Sequence, residues 1–456
     1  MEFTHRTYEK GQTVAAVATP PGEGGIAVVR ISGDEALPVA NKIFSGDIFS
    51  YKTHTVHFGK ILNSNGQTID EGLAVVMRAP RSYTGEDTVE IHCHGGTLIT
   101  QQVLKAALAS GARGALPGEF TCKAFQNGKI DLTKAEAVQQ VIASKNTFAM
   151  EAAESQLQGS LEKAIGHFQT KLTDIAAILE AWVDFPEEGL EFASHEELLS
   201  SLIEISKNMT ALKETFHEGK LLHMGLSICL LGAPNVGKSS LMNALAGKER
   251  AIVTNIPGTT RDILEEDVQI AGLNFRLTDT AGIRETDEII EKEGVKRSEA
   301  AAKKADLILL VFDISSPQLD SSLIASLPKE KTIAIWNKID LKHSASLPEL
   351  PFKTVFISAK ESEGLETLKQ AIHGVIWKNG PPSKEEIVVT NERHFQALDS
   401  SIQAVNKVIE GLEQELSPEF LTADIRQALK ELGTIIGVNI TEEVLSAIFS
   451  KFCVGK

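Results

Sequence analysis

The sequence predicts a multidomain protein that combines α/β and all-α parts. Three observations lead to this prediction: the length of the chain, a change along it from short β-prone runs to helical periodicity, and a phosphate-binding motif in its second half. At 456 residues the chain is too long for a single hydrophobic core. We predict an α/β domain at 1–128, a helical domain beginning at 129–222, an inserted second α/β domain at 223–380, and the rest of the helical domain at 381–456. Two separate helical domains are the alternative.

The net charge of −16 lies mainly in the two helical segments. It is −8 over residues 129–222 and −5 over 381–456, against −1 and −2 for the two α/β segments. Broad, salt-driven binding of nucleic acid needs clustered Lys and Arg, so this composition argues against it. An RNA substrate would have to be held by a local patch or by the surface of a partner.

Nothing in the sequence predicts secretion or a membrane span. No apolar run approaches the roughly 18 residues that a membrane helix needs, and the polar start, Met1 to Lys10, lacks the apolar core of a signal peptide. The four cysteines show no CxxC pairing, which argues against a disulfide framework or a zinc ribbon. We expect a cytoplasmic protein.

Periodicity supports the division into domains. The first segment contains short β-prone runs at Thr13–Ala18, Ile26–Ile31, Leu73–Met77 and Thr88–Cys93. Helical periodicity then runs from Thr133 to about Leu222, with a break near Pro186. After Pro382 it returns in three stretches: Phe395–Leu416, Phe420–Leu432 and Glu442–Phe452.

A phosphate-binding loop opens the inserted domain. The apolar run Leu226–Leu231 leads into Gly232-Ala233-Pro234-Asn235-Val236-Gly237-Lys238-Ser239, and the helix-prone stretch Ser240–Ala246 follows. This is the GxxxxGK[ST] pattern in the strand–loop–helix context that it requires. Glycines let backbone N–H groups face the phosphates, Lys238 would reach the β- and γ-phosphates, and the Ser239 hydroxyl would bind Mg²⁺.

Three further motifs make the nucleotide a guanine nucleotide. Asp279-Thr280-Ala281-Gly282 follows a β-hairpin predicted at Val268–Leu277, with Asp279 placed to hold the Mg²⁺ shell. Asn337-Lys338-Ile339-Asp340 follows an apolar run, and Ser358-Ala359-Lys360 closes the base pocket. The Asp340 carboxylate can accept from the ring N–H and the exocyclic amine of guanine, an edge that adenine lacks. The inserted domain is therefore predicted to be a Ras-like P-loop GTPase domain that uses GTP and Mg²⁺.

Ile283 departs from the Ras-like pattern. It occupies the position at which Ras-like proteins carry the glutamine that orients the attacking water. An isoleucine cannot do this, so hydrolysis must be organised by other groups.

The termini and one internal loop carry a more specific resemblance. Its residues are Ala18-Thr19-Pro20-Pro21-Gly22, Gly258-Thr259-Thr260-Arg261-Asp262 and Phe452-Cys453-Val454-Gly455-Lys456. With these segments the chain resembles, over essentially its whole length, the family of bacterial tRNA-uridine modification GTPases called MnmE or TrmE.

The resemblance implies a folate-binding and dimerising N-terminal domain and a homodimer that works with the flavoprotein MnmG in a heterotetramer. Together they would add a carboxymethylaminomethyl or aminomethyl group to C5 of the wobble uridine of certain tRNAs. The one-carbon unit would come from 5,10-methylene- or 5-formyl-tetrahydrofolate, with FAD and NADH used by the partner. The tRNA would be held mainly by that partner.

The resemblance also implies roles for individual residues. Folate would be bound by Arg30, Glu90, Lys129 and Lys456, and Cys453 could be a substrate-site thiol or one buried under the last helix. Glu291 is the candidate for positioning water in place of the missing glutamine, acting with Asn235 and Lys238. Potassium would be ligated by Asn235, Thr254, Ile256 and Thr259, and magnesium by Ser239, Thr260 and, through water, Asp279. GTP would be contacted by Asn235–Ser240, Thr254, Ile256–Thr260, Asp279–Gly282, Asn337, Lys338, Asp340 and Ser358–Lys360.

Some residues and functions keep alternatives. His92 and His94 share a strand face, but no third ligand is spaced to make a metal site, and we interpret them as pocket or packing residues. Arg261 and Arg284 are interpreted as conformational-coupling residues rather than arginine fingers. A regulatory or ribosome-assembly GTPase with a folate-like binding module is the alternative function, and a folate-dependent methyltransferase with an attached GTPase is a third.

Overall fold

The computed structural model describes residues 8–184, 194–216, 218–220, 225–246, 267–270, 272–277, 302, 305–341, 347–377 and 386–456. The chain groups into two compact units. The first comprises Met1–Gln139, Gln156–Ser206 and Ser400–Lys456, and the second comprises Gln140–Ser155 and Lys207–Asp399. This grouping follows contacts, and the four segment boundaries given above remain predictions.

The first unit begins with an α/β domain built on a six-stranded sheet. Its elements in chain order are β1 (Val14–Val17), β2 (Gly24–Ser32), α1 (Ala36–Ile43), β3 (Thr55–Leu62), β4 (Thr68–Met77), β5 (Thr88–Gly95), α2 (Thr97–Ala109), β6 (Arg113–Gly114) and α3 (Glu119–Gln126). The strand order is β3-β4-β5-β2-β1-β6, and every neighbouring pair is antiparallel except β1 with β6. The four predicted strands are confirmed, whereas β3, β6 and the positions of the three helices were not predicted.

One face of this sheet is packed against helices and the other is not, and the side chains of each strand alternate between the two faces. Val29 and Ile31 of β2 are fully buried in an apolar core shared with α1 and α2. Arg30, between them, lies on the opposite face, where the register pairs it with Glu90 on β5 and with Ala16 on β1. That register brings an arginine and a glutamate side by side at the centre of the sheet.

Helices follow the sheet domain, as the periodicity predicts. They are α4 (Leu132–Ala143), α5 (Thr147–Leu157), α6 (Ser160–Asp184) and α7 (His195–Glu214). The 25-residue α6 buries a stripe at helical spacing, with Leu161, Ile165, Phe168 and Leu172 on one face.

The second unit is built on another six-stranded sheet. Its elements are β7 (Leu226–Leu231), α8 (Lys238–Ala246), β8 (Asp267–Ile270), β9 (Leu273–Leu277), β10 (Leu307–Asp313), α9 (Ser321–Ser326), β11 (Thr332–Asn337), β12 (Lys353–Phe356) and α10 (Leu365–Ile376). The order is β12-β11-β10-β7-β9-β8, all parallel except the edge strand β8. Strands β10 and β11 are buried almost throughout, as expected when both faces of a parallel sheet are covered. This is the Ras-like arrangement, and the predicted fold class is confirmed.

Three more helices complete the chain and return it to the first unit. They are α11 (Glu392–Glu413), α12 (Pro418–Ile436) and α13 (Glu442–Phe449). Within the first unit α12 packs along α6, and Gly437 in the left-handed conformation ends α12. Among the described helices, none is both long enough and apolar enough to cross a membrane.

Candidate functional site

The phosphate-binding loop connects the buried strand β7 to the start of α8. Two of its glycines adopt conformations that favour glycine, with φ of +144° at Gly232 and +97° at Gly237. A Cβ at Gly232 would lie 2.3 Å from the Val311 carbonyl oxygen, and one at Gly237 would lie 2.3 Å from the Asn337 side-chain nitrogen. The loop therefore has room only for glycine at both positions.

Lys238 is the first residue of α8, and its ammonium group turns back toward the loop. It donates to the carbonyl oxygens of Gly232 (2.7 Å) and Ala233 (2.8 Å). Burial lowers the pKa of Lys238, because the charged form is poorly solvated there. An anion at this helix start would supply a counter-charge.

The side of the site predicted to hold the base is braced by Asn337, which is 2% exposed. Its amide nitrogen donates to the Val236 carbonyl oxygen at 2.9 Å, and its amide oxygen accepts from the Ala359 backbone at 3.0 Å. One side chain thus ties the phosphate loop to the third guanine motif. Asn337 acts here as a brace between motifs, which sequence spacing alone did not indicate.

Two charged groups beside Asn337 complete the pocket. Ser358 donates to one carboxylate oxygen of Asp340 at 2.6 Å, fixing the group predicted to read guanine. Lys338 donates to the Asn235 carbonyl oxygen at 2.8 Å and to the Asp313 carboxylate at 2.6 Å. The predicted residues Asn235, Val236, Asn337, Lys338, Asp340, Ser358 and Ala359 are therefore brought together in one connected site.

Asp313 is a member of this site that the sequence analysis missed. Burial alone would raise the pKa of its carboxyl, but hydrogen bonds from Lys338 and Ser315 outweigh burial and hold the pKa below its usual range. The sequence did contain a signal for Asp313. It is the last residue of the apolar strand β10, and the carboxyl end of β10 lies beside that of β11, where the guanine motif begins.

The two predicted cation ligands in the phosphate loop are open to solvent. Asn235 lies in the left-handed region at φ +61° and is exposed, as is Ser239. The remaining predicted contacts lie outside the described residues: Thr254, Ile256, Pro257, Gly258, Thr259, Thr260, Asp279, Thr280, Ala281, Gly282 and Glu291, together with Arg261, Ile283 and Arg284. Ser240 and Lys360 are exposed beside the described part of the site.

A second site lies on the sheet face of the first unit that α1 and α2 do not cover. The Arg30 guanidinium donates through Nε to the Glu90 carboxylate at 2.8 Å and through Nη1 to the Gly455 carbonyl oxygen at 3.4 Å. It also lies 5.8 Å from the centre of the Tyr83 ring and 5.5 Å from that of Phe120, which is cation–π range. Arg30 thus holds the C-terminal tail, residues 450–456, against the sheet.

The tail is seated by its backbone as well. The Gly118 amide donates to the Cys453 carbonyl oxygen at 3.3 Å. Gly455 has φ +99°, and a Cβ there would lie 2.2 Å from the Val17 carbonyl oxygen. Phe449 and Phe452 anchor the tail in an apolar cluster with Cys122. Cys453 itself is exposed, so the alternative of a thiol buried under the last helix is wrong.

The other predicted folate residues are placed less tightly. Lys129 is exposed and donates to the Pro80 carbonyl oxygen at 3.0 Å, with no contact to Arg30 or Glu90. Lys456 is partly exposed, next to the Gly455 carbonyl that Arg30 contacts. The second Glu90 oxygen lies 3.5 Å from His92 Nε2.

A cavity of about 550 Å³ lies beside the tail. It is lined mainly by small or apolar side chains of β1, the β1–β2 turn and α2, including Ala16, Pro20 and Leu104, with Val454 of the tail at its wall. Gly24 and Gly114 also line it, and a Cβ on either would meet open space. The tail thus borders the cavity through Val454 and contacts Arg30 through Gly455, and neither Arg30 nor Glu90 lines the cavity.

His92 and His94 contact two different carboxylates. His94 contacts the Asp70 carboxylate at 2.9 Å, whereas His92 faces Glu90. In the part of the chain that the structure describes, no three His, Cys, Asp or Glu side chains are grouped to hold a metal ion.

Comparisons with known proteins give this geometry a context. The family model for the MnmE helical domain matches residues 132–453, and that for the GTP-binding protein TrmE N-terminus matches residues 13–129. A protein of Protochlamydia amoebophila named tRNA modification GTPase MnmE is 60% identical over the full length of both chains. Proteins with that name from Chlamydia trachomatis serovar L2 and Clostridioides difficile are 45% and 42% identical, over 98% and 97% of this chain and 100% and 99% of theirs.

Among solved structures, the G domain of the FeoB iron transporter of T. maritima is similar to part of the chain. It is 29% identical, with a TM-score of 0.25, over 33% of this chain and 99% of that one.

Proposed function

This chain belongs to the MnmE family of tRNA modification GTPases and is a GTP hydrolase, and from that premise we propose its part in the modification. It works as a homodimer with the flavoprotein MnmG, and GTP hydrolysis drives a conformational cycle. Together they add a carboxymethylaminomethyl or aminomethyl group to C5 of the wobble uridine of certain tRNAs. The partner uses FAD and NADH and holds most of the tRNA.

The observation that carries the one-carbon part of this proposal is the seating of the tail. Arg30 binds Glu90 and the Gly455 carbonyl together, so the chain's last residues form one wall of a site on the N-terminal sheet. A tetrahydrofolate derivative has a pterin with N–H donors at one end and carboxylates at the other. This site offers a carboxylate for the donors and, in Lys456 and Lys129, cations for the carboxylates.

The sizes and charges in this region suit such a ligand. The cavity beside Val454, about 550 Å³, falls in the range of small-molecule sites, and its mainly apolar walls can pack against the faces of a planar ring system. One Glu90 oxygen is bound by Arg30, while the other lies 3.5 Å from His92 and can accept from a ligand. Arg30 is committed to Glu90 and the tail, so its contribution is to position them.

The described part of the nucleotide site offers oxygen ligands that suit Mg²⁺ and K⁺. Ser239 and Asn235 are exposed residues of the phosphate loop, and each has a side-chain oxygen that can ligate a cation. Oxygen is the ligand that both ions prefer. Magnesium would be held by Ser239, with Thr260 and Asp279 through water, and potassium by Asn235 with Thr254, Ile256 and Thr259. A fixed cation supplies charge where an arginine finger otherwise would, and Glu291 positions the water that Ile283 cannot.

Pairing of two copies is supported by the open sheet face. Val56 and Phe58 on the edge strand β3 are 57% and 71% exposed on that face. Large apolar side chains of this kind are typical of surfaces that another chain covers.

Reconstitution tests the modification. The purified chain is incubated with MnmG, unmodified tRNA, GTP and a tetrahydrofolate one-carbon donor, and the nucleosides are measured by mass spectrometry. We expect the modified wobble uridine only when the chain, GTP and the folate are all present. Product of equal yield without the chain or without the folate would contradict the proposal.

Potassium dependence is tested separately. GTP turnover is measured in K⁺ and in Na⁺ at equal ionic strength, for the native chain and for Asn235→Ala. We expect strong stimulation by K⁺ that the substitution removes while GTP binding survives. Equal rates in the two salts would rule out the ion.

A further inference from the structure

A basic cluster stands out on the first unit of this acidic chain. It consists of Lys52, Arg78, Arg81 and Lys129, which come from three separate stretches of sequence. Lys52 precedes β3, Arg78 and Arg81 follow β4, and Lys129 follows α3. Antiparallel pairing of β3 with β4 brings the first two stretches to the same end of the sheet.

Hydrogen bonds hold the side chains of two members of the cluster, Arg78 and Lys129. Arg78 donates through Nη2 to the carbonyl oxygens of Phe49 (2.8 Å) and Tyr51 (3.3 Å), and its backbone amide donates to the Thr53 hydroxyl. Lys129 donates to the Pro80 carbonyl oxygen, which joins the third stretch to the second. Neutral carbonyl acceptors leave the positive charge of these groups uncompensated.

Few carboxylates oppose this charge. Asp47 and Asp87 lie on the same loops, so four cations face two carboxylates, and neither carboxylate forms an ion pair with the cluster among the described residues. Glu86 is buried and paired with Lys123. Arg81 and Lys52 are exposed. By contrast Arg30, Arg113 and Lys123 of the same domain are each paired with a glutamate.

Aromatic groups accompany the cations. Phe49 is 52% exposed, and Tyr51 stacks on His57 with ring centres 3.4 Å apart and planes within 5°. Single-stranded RNA is bound by this combination, in which cations contact phosphates and exposed rings stack on bases.

The cluster also lies next to the one-carbon site. Tyr83, two residues after Arg81, faces the Arg30 guanidinium at 5.8 Å. Lys129 packs against Gly85 of that loop. A base that receives a one-carbon unit must reach this region, and the loop that carries Arg81 and Tyr83 connects it to the cluster.

We propose that Lys52, Arg78, Arg81 and Phe49 form an RNA-contacting surface that binds the single-stranded anticodon loop of the tRNA substrate. This inference rests on the proposed function and extends it, because it assigns part of tRNA binding to this chain rather than to its partner. The cations neutralise loop phosphates, and Phe49 offers a face on which an unstacked base lies.

The test is binding of a fluorescent anticodon stem-loop RNA to the full chain, measured by anisotropy over a range of salt concentrations. The test variant is Lys52→Ala with Arg81→Ala, two exposed residues. The matched control is Lys105→Ala, an exposed lysine on α2 and therefore on the other face of the sheet. Thermal melting of each variant verifies folding.

We expect the double variant to bind the RNA about tenfold more weakly at physiological salt. The salt dependence of its affinity should also be shallower, because fewer phosphates are neutralised and fewer counterions are released on binding. Lys105→Ala should bind as the native chain does, and Phe49→Ala should weaken binding without changing the salt slope. Equal loss in Lys105→Ala, or native affinity in the double variant, would overturn the inference. The reconstitution assay with the native chain tests the proposed function separately. If the native chain supports modification but the double variant binds RNA normally, the RNA-contacting surface is refuted and the proposed function stands.

Discussion

The nucleotide site and the tail site are assembled from sequence in contrasting ways. In the nucleotide site, contacts join short motifs in which neighbouring residues already carry the chemistry, as where Ser358 fixes Asp340. In the tail site, Arg30 joins Glu90, 60 positions away, to Gly455, 425 positions away. A loop that wraps a phosphate needs consecutive backbone groups, whereas a pocket on a sheet face can draw single residues from anywhere.

Removing the tail should separate the two sites most completely. Deletion of Val454–Lys456 removes the Gly455 carbonyl that Arg30 binds, the Val454 wall of the cavity and the Lys456 cation. We expect wobble modification to be abolished, while GTP hydrolysis stays nearly intact. Nucleoside mass spectrometry and a phosphate-release assay measure the two. A shortened protein that still gives full modification would show that the tail does not form the one-carbon site.

Replacing one carboxylate oxygen of Asp340 by an amide NH₂ should abolish the preference of the nucleotide site for guanine. In Asp340→Asn an acceptor facing guanine becomes a donor, which leaves a polar group of the base unpaired. We expect GTP affinity to fall by at least about a hundredfold and binding of xanthosine triphosphate to improve, since its oxo group suits the new donor. Fluorescence titration with both nucleotides measures this, and unchanged GTP affinity would refute the assignment of Asp340 to the base.

A single methyl group should weaken the tail site to an intermediate degree. Gly455→Ala places a Cβ 2.2 Å from the Val17 carbonyl oxygen at a φ of +99°, so the tail must shift. We expect folate affinity to fall about tenfold or more, given the usual cost of such strain. The matched control is Gly166→Ala within α6, where a Cβ meets open space. Calorimetric titration with 5-formyltetrahydrofolate compares them, and equal affinities would contradict the seating described above.

The smallest expected effect concerns Asp313. Its pKa is depressed in the folded protein, so its ion pair with Lys338 stabilises the fold above the ordinary carboxyl pKa of 3.8, and this stabilisation is lost as the pH falls through the depressed value. Asp313→Asn should cost about 1 kcal/mol of unfolding free energy at neutral pH. The cost should shrink below pH 4. Urea unfolding at pH 7 and pH 3 measures it, and a cost that is the same at both values would contradict this role.

The comparison also explains what could be predicted from sequence. Lys238, Asp340 and Ser358 follow from motif spacing because the chemistry of each lies in its immediate neighbours. Asp313 was missed because it belongs to no motif, although its position at the end of a buried strand marked it. The pairing of Arg30 with Glu90 depends on the register of β2 with β5, which a bulge between Gly24 and Ala27 shifts. No local pattern encodes that register, so only the family resemblance indicated these residues.

The first turns of α5 determine where the GTPase portion can be cut from the rest of the protein. Ala149 is 1% exposed in the same apolar core as Leu226 and Phe275, and Phe148 packs against Trp377 and over Gly272. The Lys145 carbonyl oxygen also accepts from Gln269 of the β8–β9 hairpin. A gene fragment that begins at residue 223 would therefore encode the nucleotide sheet without part of its own interior. Grafting residues 144–153 ahead of it would restore that packing, and the isolated fragment should then be better suited to expression and crystallisation.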